Sequence, residues 1–169
     1  MIDVIVEIPQ GSRNKYELDE ETGHFYLDRI LYASVQYPTD YGFIPNTRAE
    51  DGDHLDVLLM VSEPTFPGCR VRARPVGLLC MRDEKGSDQK ILAVPVRDPR
   101  FDEIQDLADV PAHRLIEIKN FFDIYKQLEG KLTETCGWGG AEQARQVIAQ
   151  ARERYERERG RTEQDESKR

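Results

Sequence analysis

The chain has little of what zinc sites and disulfide frameworks need. Only three cysteines are present (Cys69, Cys80 and Cys136), none of them in a CxxC pair, and the three histidines form no HExxH pattern. Zinc is therefore disfavoured as the native metal. An odd number of scattered cysteines also argues against a disulfide framework and for a reducing compartment. We expect each cysteine to be a small packing residue.

Long apolar runs and an excess of positive charge are missing too. No apolar run approaches a membrane span, and the N-terminus lacks the pattern of a signal peptide, so we expect a cytoplasmic protein without membrane contact. Lysine and arginine total 24 against 32 aspartates and glutamates, a net charge of −8. Nucleic-acid binders usually carry a basic surface, so no nucleic-acid partner is expected.

Three motifs of group-transfer and cofactor chemistry are absent. The sequence contains no GxxxxGK[ST] phosphate loop, no GxSxG nucleophile elbow and no GxGxxG dinucleotide fingerprint. Covalent catalysis by serine or cysteine therefore has no support from the sequence.

Short apolar segments separated by turns fill the first hundred residues. Such a series predicts strands that form a small closed barrel. The predicted strands span residues 4–8, 15–19, 24–30, 57–61, 71–82 and 90–96. Hairpin turns are expected at residues 20–23 and 83–86.

Helical periodicity begins only after Pro111. Apolar residues at three-to-four spacing predict one helix from Pro111 to about Gly130 and a second over residues 141–159. Residues 160–169 carry mixed charge without an apolar residue and are predicted to be disordered. At 169 residues the chain is expected to hold one domain, residues 1–159, of mixed β-plus-α class: a closed β-barrel flanked by two α-helices.

An acidic cluster, Asp51, Asp53 and Asp56, precedes the fourth predicted strand. Three carboxylates so close together repel one another unless cations lie between them. If Asp51 and Asp53 are extended, their side chains share one face, and Gly52 allows the turn that would bring Asp56 to the same point. The segment by itself fits a hard-cation site and a solvated acidic turn equally well.

The type of metal can be narrowed further. An EF-hand counted from Asp51 needs glycine at its sixth position and glutamate at its twelfth, where this chain has Asp56 and Ser62. A calcium loop is therefore excluded. Oxygen-only donors indicate magnesium, or manganese in its place.

Charged pairs and tyrosines gather around this cluster. Lys15 with Glu17, and Asp88 with Lys90, are spaced to share one strand face. For each pair alone, a solvent-exposed charged face is the simpler interpretation. Taken with the acidic cluster, they indicate a polar pocket lined by charges of both signs. Carboxylates that bind metals, together with cations that bind an anion, suit a phosphate site.

Two aromatic segments add to this pattern. Tyr37 and Tyr41 lie just before the acidic loop, and phenols can donate to phosphate oxygens; Phe43 is expected in the core. Tyr125 and Lys126 lie at the end of the first helix, where a lysine alone is usually a partner of the helix dipole.

These residues together resemble the family I soluble inorganic pyrophosphatases of the prokaryotic type. The resemblance extends in order over nearly the whole chain. The matching blocks are Glu7-Ile-Pro9, Lys15-Tyr-Glu17, Asp28-Arg29, Tyr37-Pro-x-x-Tyr-Gly42, Asp51-Gly-Asp-x-x-Asp-Val-Leu58, Arg74-Pro-Val-Gly77, Asp83-Glu-x-Gly-x-Asp-x-Lys90, Ala93-Val-Pro95, Asp106-Leu107 and Phe121-Phe-x-x-Tyr-Lys126. His54 departs from the pattern, since the family usually has proline there, and we expect it to be a solvent-facing loop residue.

The resemblance implies an OB-like barrel, hydrolysis of pyrophosphate, dependence on Mg²⁺ with Mn²⁺ or Zn²⁺ as substitutes, and a homohexamer. It implies Asp53 as the carboxylate that activates water. The implied metal ligands are Glu7, Asp51, Asp56, Asp83 and Asp88. The implied substrate-binding residues are Lys15, Glu17, Arg29, Tyr37, Tyr41, Lys90, Tyr125 and Lys126.

Two other functions stay open from the residues alone. A metal-dependent nucleotide phosphohydrolase would need a pocket that stacks on a base, for which no sequence feature speaks. A module that only binds divalent cations or polyanions would have no use for Arg29 and Lys126. Phosphate release from pyrophosphate and from nucleoside triphosphates distinguishes these functions.

Overall fold

The computed structural model describes residues 1–166 of the chain, with the side chains of residues 1–161. This part of the chain forms eight strands and two α-helices. The strands are β1 (Ile2–Ile8), β2 (Asn14–Asp19), β3 (His24–Ile30), β4 (Asp40–Ile44), β5 (Leu55–Leu59), β6 (Arg70–Asp83), β7 (Gly86–Pro95) and β8 (Glu134–Gly140). The helices are α1 (Ala112–Ile124) and α2 (Ala141–Glu166), and short 3-10 helices lie at Pro99–Phe101, Leu107–Asp109 and Gln127–Glu129.

Five strands close into a ring, which confirms the predicted closed barrel. Their order is β1, β4, β5, β7 and β6, and pairing of β6 with β1 completes the ring. Every pair in the ring is antiparallel except β5 with β7. Strand β8 extends the sheet beside β6, while β2 and β3 form a separate hairpin.

Alternation along the strands divides the buried side chains into two clusters. Val57 and Ile91 belong to the cluster that includes Ala144 and Ile148 of α2. Leu58 and Leu92, their immediate neighbours in sequence, belong to the cluster that includes Phe122 of α1. Because successive strand residues face opposite ways, the same strands pack on one helix with one face and on the other helix with the other.

Two strands were not predicted. Strand β4 is short and follows the turn-forming sequence Tyr37-Pro-Thr, which hides its pattern. Strand β8 contains three glycines, which have a low preference for strands, and its pairing with β6 supplies the bonds that hold it extended.

Both helices end at positions other than those predicted. Helix α1 stops at Ile124, and Gly130, with φ 72°, ends the separate 3-10 turn that follows. Helix α2 continues past Arg159 to Glu166, so residues 160–166 are helical and the prediction of disorder is wrong for them. Residues 167–169 of the predicted tail lie outside the described residues.

Candidate active site

A cleft of about 440 Å³ brings together residues from six parts of the chain. The six are β1, the β2–β3 hairpin, β4, the acidic turn before β5, the β6–β7 hairpin and the end of α1. Thirteen of the fourteen predicted site residues line it: Glu7, Lys15, Glu17, Tyr37, Tyr41, Asp51, Asp53, Asp56, Asp83, Asp88, Lys90, Tyr125 and Lys126. Their roles stay predictions, but their convergence shows that the sequence blocks meet at one place.

Lys90 is the centre of the polar network at the base of the cleft. Its side chain is 2% exposed, and its Nζ lies 2.8 Å from Asp56 Oδ2 and 3.1 Å from Asp88 Oδ1. Burial alone would lower the pKa of this ammonium, but the two carboxylates more than offset that effect and raise it. Lys90 is therefore a fixed positive charge at any pH near neutral.

Tyr41 connects Lys90 to Asp56 by hydrogen bonds. Lys90 Nζ donates to the phenol oxygen over 2.8 Å, and the phenol donates to Asp56 Oδ2 over 2.6 Å. Burial and then the charge of Asp56 raise the pKa of Tyr41 well above 10. Burial likewise raises the pKa values of Tyr37 and Tyr125. These phenols stay protonated and remain hydrogen-bond donors.

The acidic segment before β5 is a turn rather than an extended strand. Asp51 and Asp53 are not extended, so the condition under which their side chains would share a strand face is not met. Asp53 N instead donates to Asp51 Oδ1 over 3.0 Å, and Gly52 adopts φ 92°, a left-handed conformation that favours glycine. Ala49 N donates to Asp53 O over 2.8 Å and closes the turn.

The β2–β3 hairpin contributes Lys15 and Glu17, which were predicted to share a strand face and which form an ion pair. Arg29 is the predicted site residue that does not line the cleft. Its Nε lies 2.7 Å from Glu129 Oε1, and its Nη1 lies 2.5 Å from Asp28 Oδ2. The two carboxylates hold the guanidinium outside the cleft wall. No local pattern of residues predicted that Glu129 would bind Arg29.

Two other titratable groups in the cleft are perturbed by burial. Burial raises the pKa of Glu7 to about 7, although the backbone N–H of Leu18 donates to Oε1 over 3.1 Å and opposes this shift. Burial, followed by the charge of Lys90, lowers the pKa of Lys126. Both groups are therefore sensitive to any charge that enters the cleft.

His54 is packed rather than solvent-facing, contrary to expectation. Its ring stacks on Phe43 with centroids 4.8 Å apart, and Nδ1 lies 3.0 Å from the carbonyl oxygen of Thr47. Its Nε2 lies 2.8 Å from Glu20 Oε1, so the imidazole connects the acidic turn to the β2–β3 turn across the cleft.

Several cleft residues were missed by sequence reasoning. They include Tyr16, Glu20, Arg48 and Lys85. Tyr16 and Lys85 had a signal, because Tyr16 lies between Lys15 and Glu17 and Lys85 lies between Asp83 and Asp88. The Lys85 backbone N–H donates to Asp83 Oδ1 over 2.8 Å. Arg48 reaches the acidic turn from outside the predicted blocks and donates to Gly52 O over 2.5 Å.

The donor set suits a hard divalent cation. The five predicted ligands that line the cleft are carboxylates, and no cysteine lines it. Over residues 1–161, no three acidic, histidine or cysteine side chains stand close enough to form a ligand cluster as they are. Asp56 and Asp88 instead both bind the Lys90 ammonium, a positive charge placed between two of the predicted ligands.

Comparisons with known proteins agree on one family. The family model of inorganic pyrophosphatase matches residues 4–156. An inorganic pyrophosphatase from Synechocystis sp. is 55% identical over 138 residues, 82% of each chain. One from Methanosarcina mazei is 52% identical over 152 residues, 90% of each chain.

Solved structures match in the same way. The crystal structure of inorganic pyrophosphatase from Thermus thermophilus has a TM-score of 0.89 and 45% identity, covering 91% of this chain and 90% of that one. The Helicobacter pylori enzyme has a TM-score of 0.90 and 41% identity, covering 91% and 92%.

The fold and these matches define the class as an OB-like barrel enzyme with two flanking helices, as predicted. The chain belongs to the inorganic pyrophosphatase family and is thus an inorganic diphosphatase. Among residues 1–166, neither α-helix combines the length and the hydropathy of a membrane-spanning segment.

Proposed function

We propose that this chain hydrolyses pyrophosphate to two phosphates by direct attack of a metal-activated water, with Asp53 as general base and no covalent intermediate. The observation that carries the proposal is the meeting of acidic and basic site residues in one cleft. Carboxylates suit the metals, and lysines with phenols suit the phosphates.

Asp51, Asp56, Asp83 and Asp88, with Glu7, would hold the cofactor Mg²⁺, for which Mn²⁺ or Zn²⁺ could substitute. Bound divalent ions supply charge neutralisation at phosphate and a lowered pKa for coordinated water. Lys90 and Tyr41 engage only Oδ2 of Asp56, and Lys90 engages only Oδ1 of Asp88, so each carboxylate has a second oxygen that could bind a cation.

Asp53 accepts the proton of the attacking water in this mechanism. Hydrogen bonds to Ala49 and Asp51 hold the backbone of Asp53 in the turn. Asp53 is exposed to solvent where it lines the cleft. A carboxylate with a fixed backbone and access to solvent can take a proton and release it to bulk water.

The cations and phenols hold the phosphates and stabilise the charge that develops on the leaving oxygen. Lys15 and Lys126 approach the cleft from the hairpin side and from the end of α1, and Lys90 with Tyr41 forms its base. Glu17, Tyr37 and Tyr125 complete the wall, and we propose that Arg29 binds substrate after release from Glu129. No serine or cysteine lines the cleft among the described residues, which supports direct attack by water.

The tyrosine rings argue against a nucleotide substrate. Tyr37 packs against Tyr41 with centroids 5.5 Å apart, and Tyr125 packs against Phe121 at 5.1 Å. Tyr37 and Tyr125 are also only 2% and 5% exposed, so neither ring has an open face on which a base could stack. We further propose a cytoplasmic homohexamer without nucleic-acid or membrane partners.

Phosphate release from pyrophosphate and from ATP tests the proposal, each with Mg²⁺ and with a chelator. We expect fast release from pyrophosphate with Mg²⁺, slow release from ATP, and none from either with chelator. Comparable rates on both substrates would contradict it, and so would pyrophosphate hydrolysis that survives metal removal.

A further inference from the structure

Two of the three cysteines lie side by side on the outer face of the sheet, away from the cleft. On β6, Leu79 and Met81 are fully buried, while Cys80 between them points outward and is half-buried. On β8, Thr135 is buried and Cys136 is exposed. Because strand side chains alternate, both thiols lie on the same outward face.

A bulge in β8 brings the two thiols together. Cys80 is paired with Gly137 and Met81 with Thr135, so Cys136 is the extra residue between two consecutive pairs. Gly137 has φ 131°, and it places no side chain beside Cys80. The register therefore places Cys136 directly beside Cys80 across the strand pair. Burial raises the pKa of the Cys80 thiol, and the neighbouring Cys136 thiol raises it further.

The third cysteine has a different environment. Cys69 packs against the barrel core and is half-buried, as expected of a packing residue. The expectation of simple packing is wrong for Cys136, which is exposed. Neither Cys80 nor Cys136 lines the cleft, so the proposed catalytic chemistry leaves this pair unexplained.

We propose that Cys80 and Cys136 form a reversible intramolecular disulfide between β6 and β8, which makes the pair an oxidation site of this chain. With a peroxide as oxidant, the exposed Cys136 thiolate attacks the peroxide oxygen and becomes a sulfenic acid with loss of one water. The Cys80 thiolate then attacks the Cys136 sulfur, the S–S bond forms, and the sulfenic oxygen leaves as a second water. Two thiols and one hydrogen peroxide thus give one disulfide and two waters.

Thiol titration and peptide mapping of the full chain test this proposal. After stoichiometric hydrogen peroxide, we expect free thiols in the unfolded protein to fall from three to one per chain. Digestion without reductant should yield a peptide that joins Cys80 to Cys136, and a dithiol reductant should restore all three thiols.

Single variants provide matched controls. Cys69→Ser should go from two free thiols to none on oxidation, whereas Cys136→Ser should form no intramolecular disulfide. Mapping of the unaltered protein needs no variant and therefore does not depend on their folding. The proposal is overturned if the thiols stay free, if the disulfide joins two chains, or if Cys136 is oxidised without bonding to Cys80.

Discussion

Lys90 shows how a single buried charge organises the base of the cleft. Its ammonium balances Asp56 and Asp88 and donates to the Tyr41 phenol. The two ion pairs are only partly shielded from solvent, because the Asp56 and Asp88 side chains are 27% and 15% exposed. The three side chains must therefore be considered together when any one of them is changed.

Replacing Lys90 by methionine should destabilise the metal-free protein. Asp56 and Asp88 would repel each other without a counter-charge, at a cost of about 1–3 kcal/mol after allowance for their exposure. Mg²⁺ should recover part of this loss, since it binds the folded state at the same carboxylates. Urea unfolding with and without Mg²⁺ measures both effects.

Lys85→Met is the matched control, because Lys85 also lines the cleft but is exposed on the β6–β7 turn. It should change stability little in either condition. Equal losses in the free energy of unfolding for both variants would show that the Lys90 network does not stabilise the base of the cleft.

Asp53→Asn should keep the fold and metal affinity but lose turnover by roughly 10²–10⁴-fold, because the amide cannot accept the proton of water. Steady-state phosphate release and calorimetric Mg²⁺ titration separate the two properties. Glu50→Gln, an exposed change in the same turn that does not line the cleft, should leave turnover unchanged. A loss below threefold in Asp53→Asn would exclude Asp53 as the base.

At the level of elements, Asp106 fixes the start of α2 from a distant part of the chain. Its Oδ1 accepts from Ala141 N over 2.7 Å and from Leu107 N over 2.7 Å. These backbone hydrogen bonds lower the pKa of Asp106 below its ordinary value of 3.8. The ionised carboxylate therefore stabilises the fold at pH above 3.8, and this contribution is lost as the pH falls through the lower folded pKa.

Asp106→Ala should consequently lower the melting temperature at neutral pH, and the difference from the unaltered protein should shrink in acid. Thermal unfolding followed by circular dichroism across pH 3–7 measures this. Asp102→Ala, an exposed change in the same segment, provides the control. A difference that stays constant with pH would mean that the charge of Asp106 is not involved.

Removal of residues 161–169 tests the other end of α2. This segment has no apolar residue to bury, so melting temperature and activity should not change. The helical circular dichroism signal should fall slightly, since α2 extends to Glu166.

Removal of residues 148–169 is the matched control. It deletes the buried Ile148 and Ala151 and should destabilise the fold strongly. A large loss in the shorter truncation would show that its residues pack against the rest of the protein.

For the molecule as a whole, the charge of the cleft determines the order of binding. The cleft is lined by eight carboxylates and five lysine or arginine side chains, a formal charge of −3 with all of them ionised. Pyrophosphate, itself a polyanion, is repelled by that field. Two divalent ions would reverse its sign.

Pyrophosphate affinity should therefore rise steeply with Mg²⁺, and Mg²⁺ affinity should rise with pyrophosphate by the same factor. Calorimetric titration of pyrophosphate into chelator-treated protein, repeated with Mg²⁺, measures the coupling. A non-hydrolysed bisphosphonate separates binding from turnover. Tight binding of either anion without metal would contradict the charge count.

The sequence by itself determined the closed barrel, the two helices and the residues that meet in the cleft. Alternation and turn residues are local, so β1, the β2–β3 hairpin and the β6–β7 hairpin could be predicted from them. Because the site residues lie in short blocks that resemble those of a known family, fourteen of them could be assigned to one site, and thirteen of these line the cleft.

Only the tertiary structure decided which contacts those residues make. Glu129 holds Arg29 away from the cleft, and Glu20 reaches His54 from the opposite turn. Strand β8 forms despite its glycines because β6 supplies its hydrogen bonds, and its bulge brings Cys136 to Cys80. Each of these contacts joins segments far apart in sequence, so no local pattern of residues can encode it.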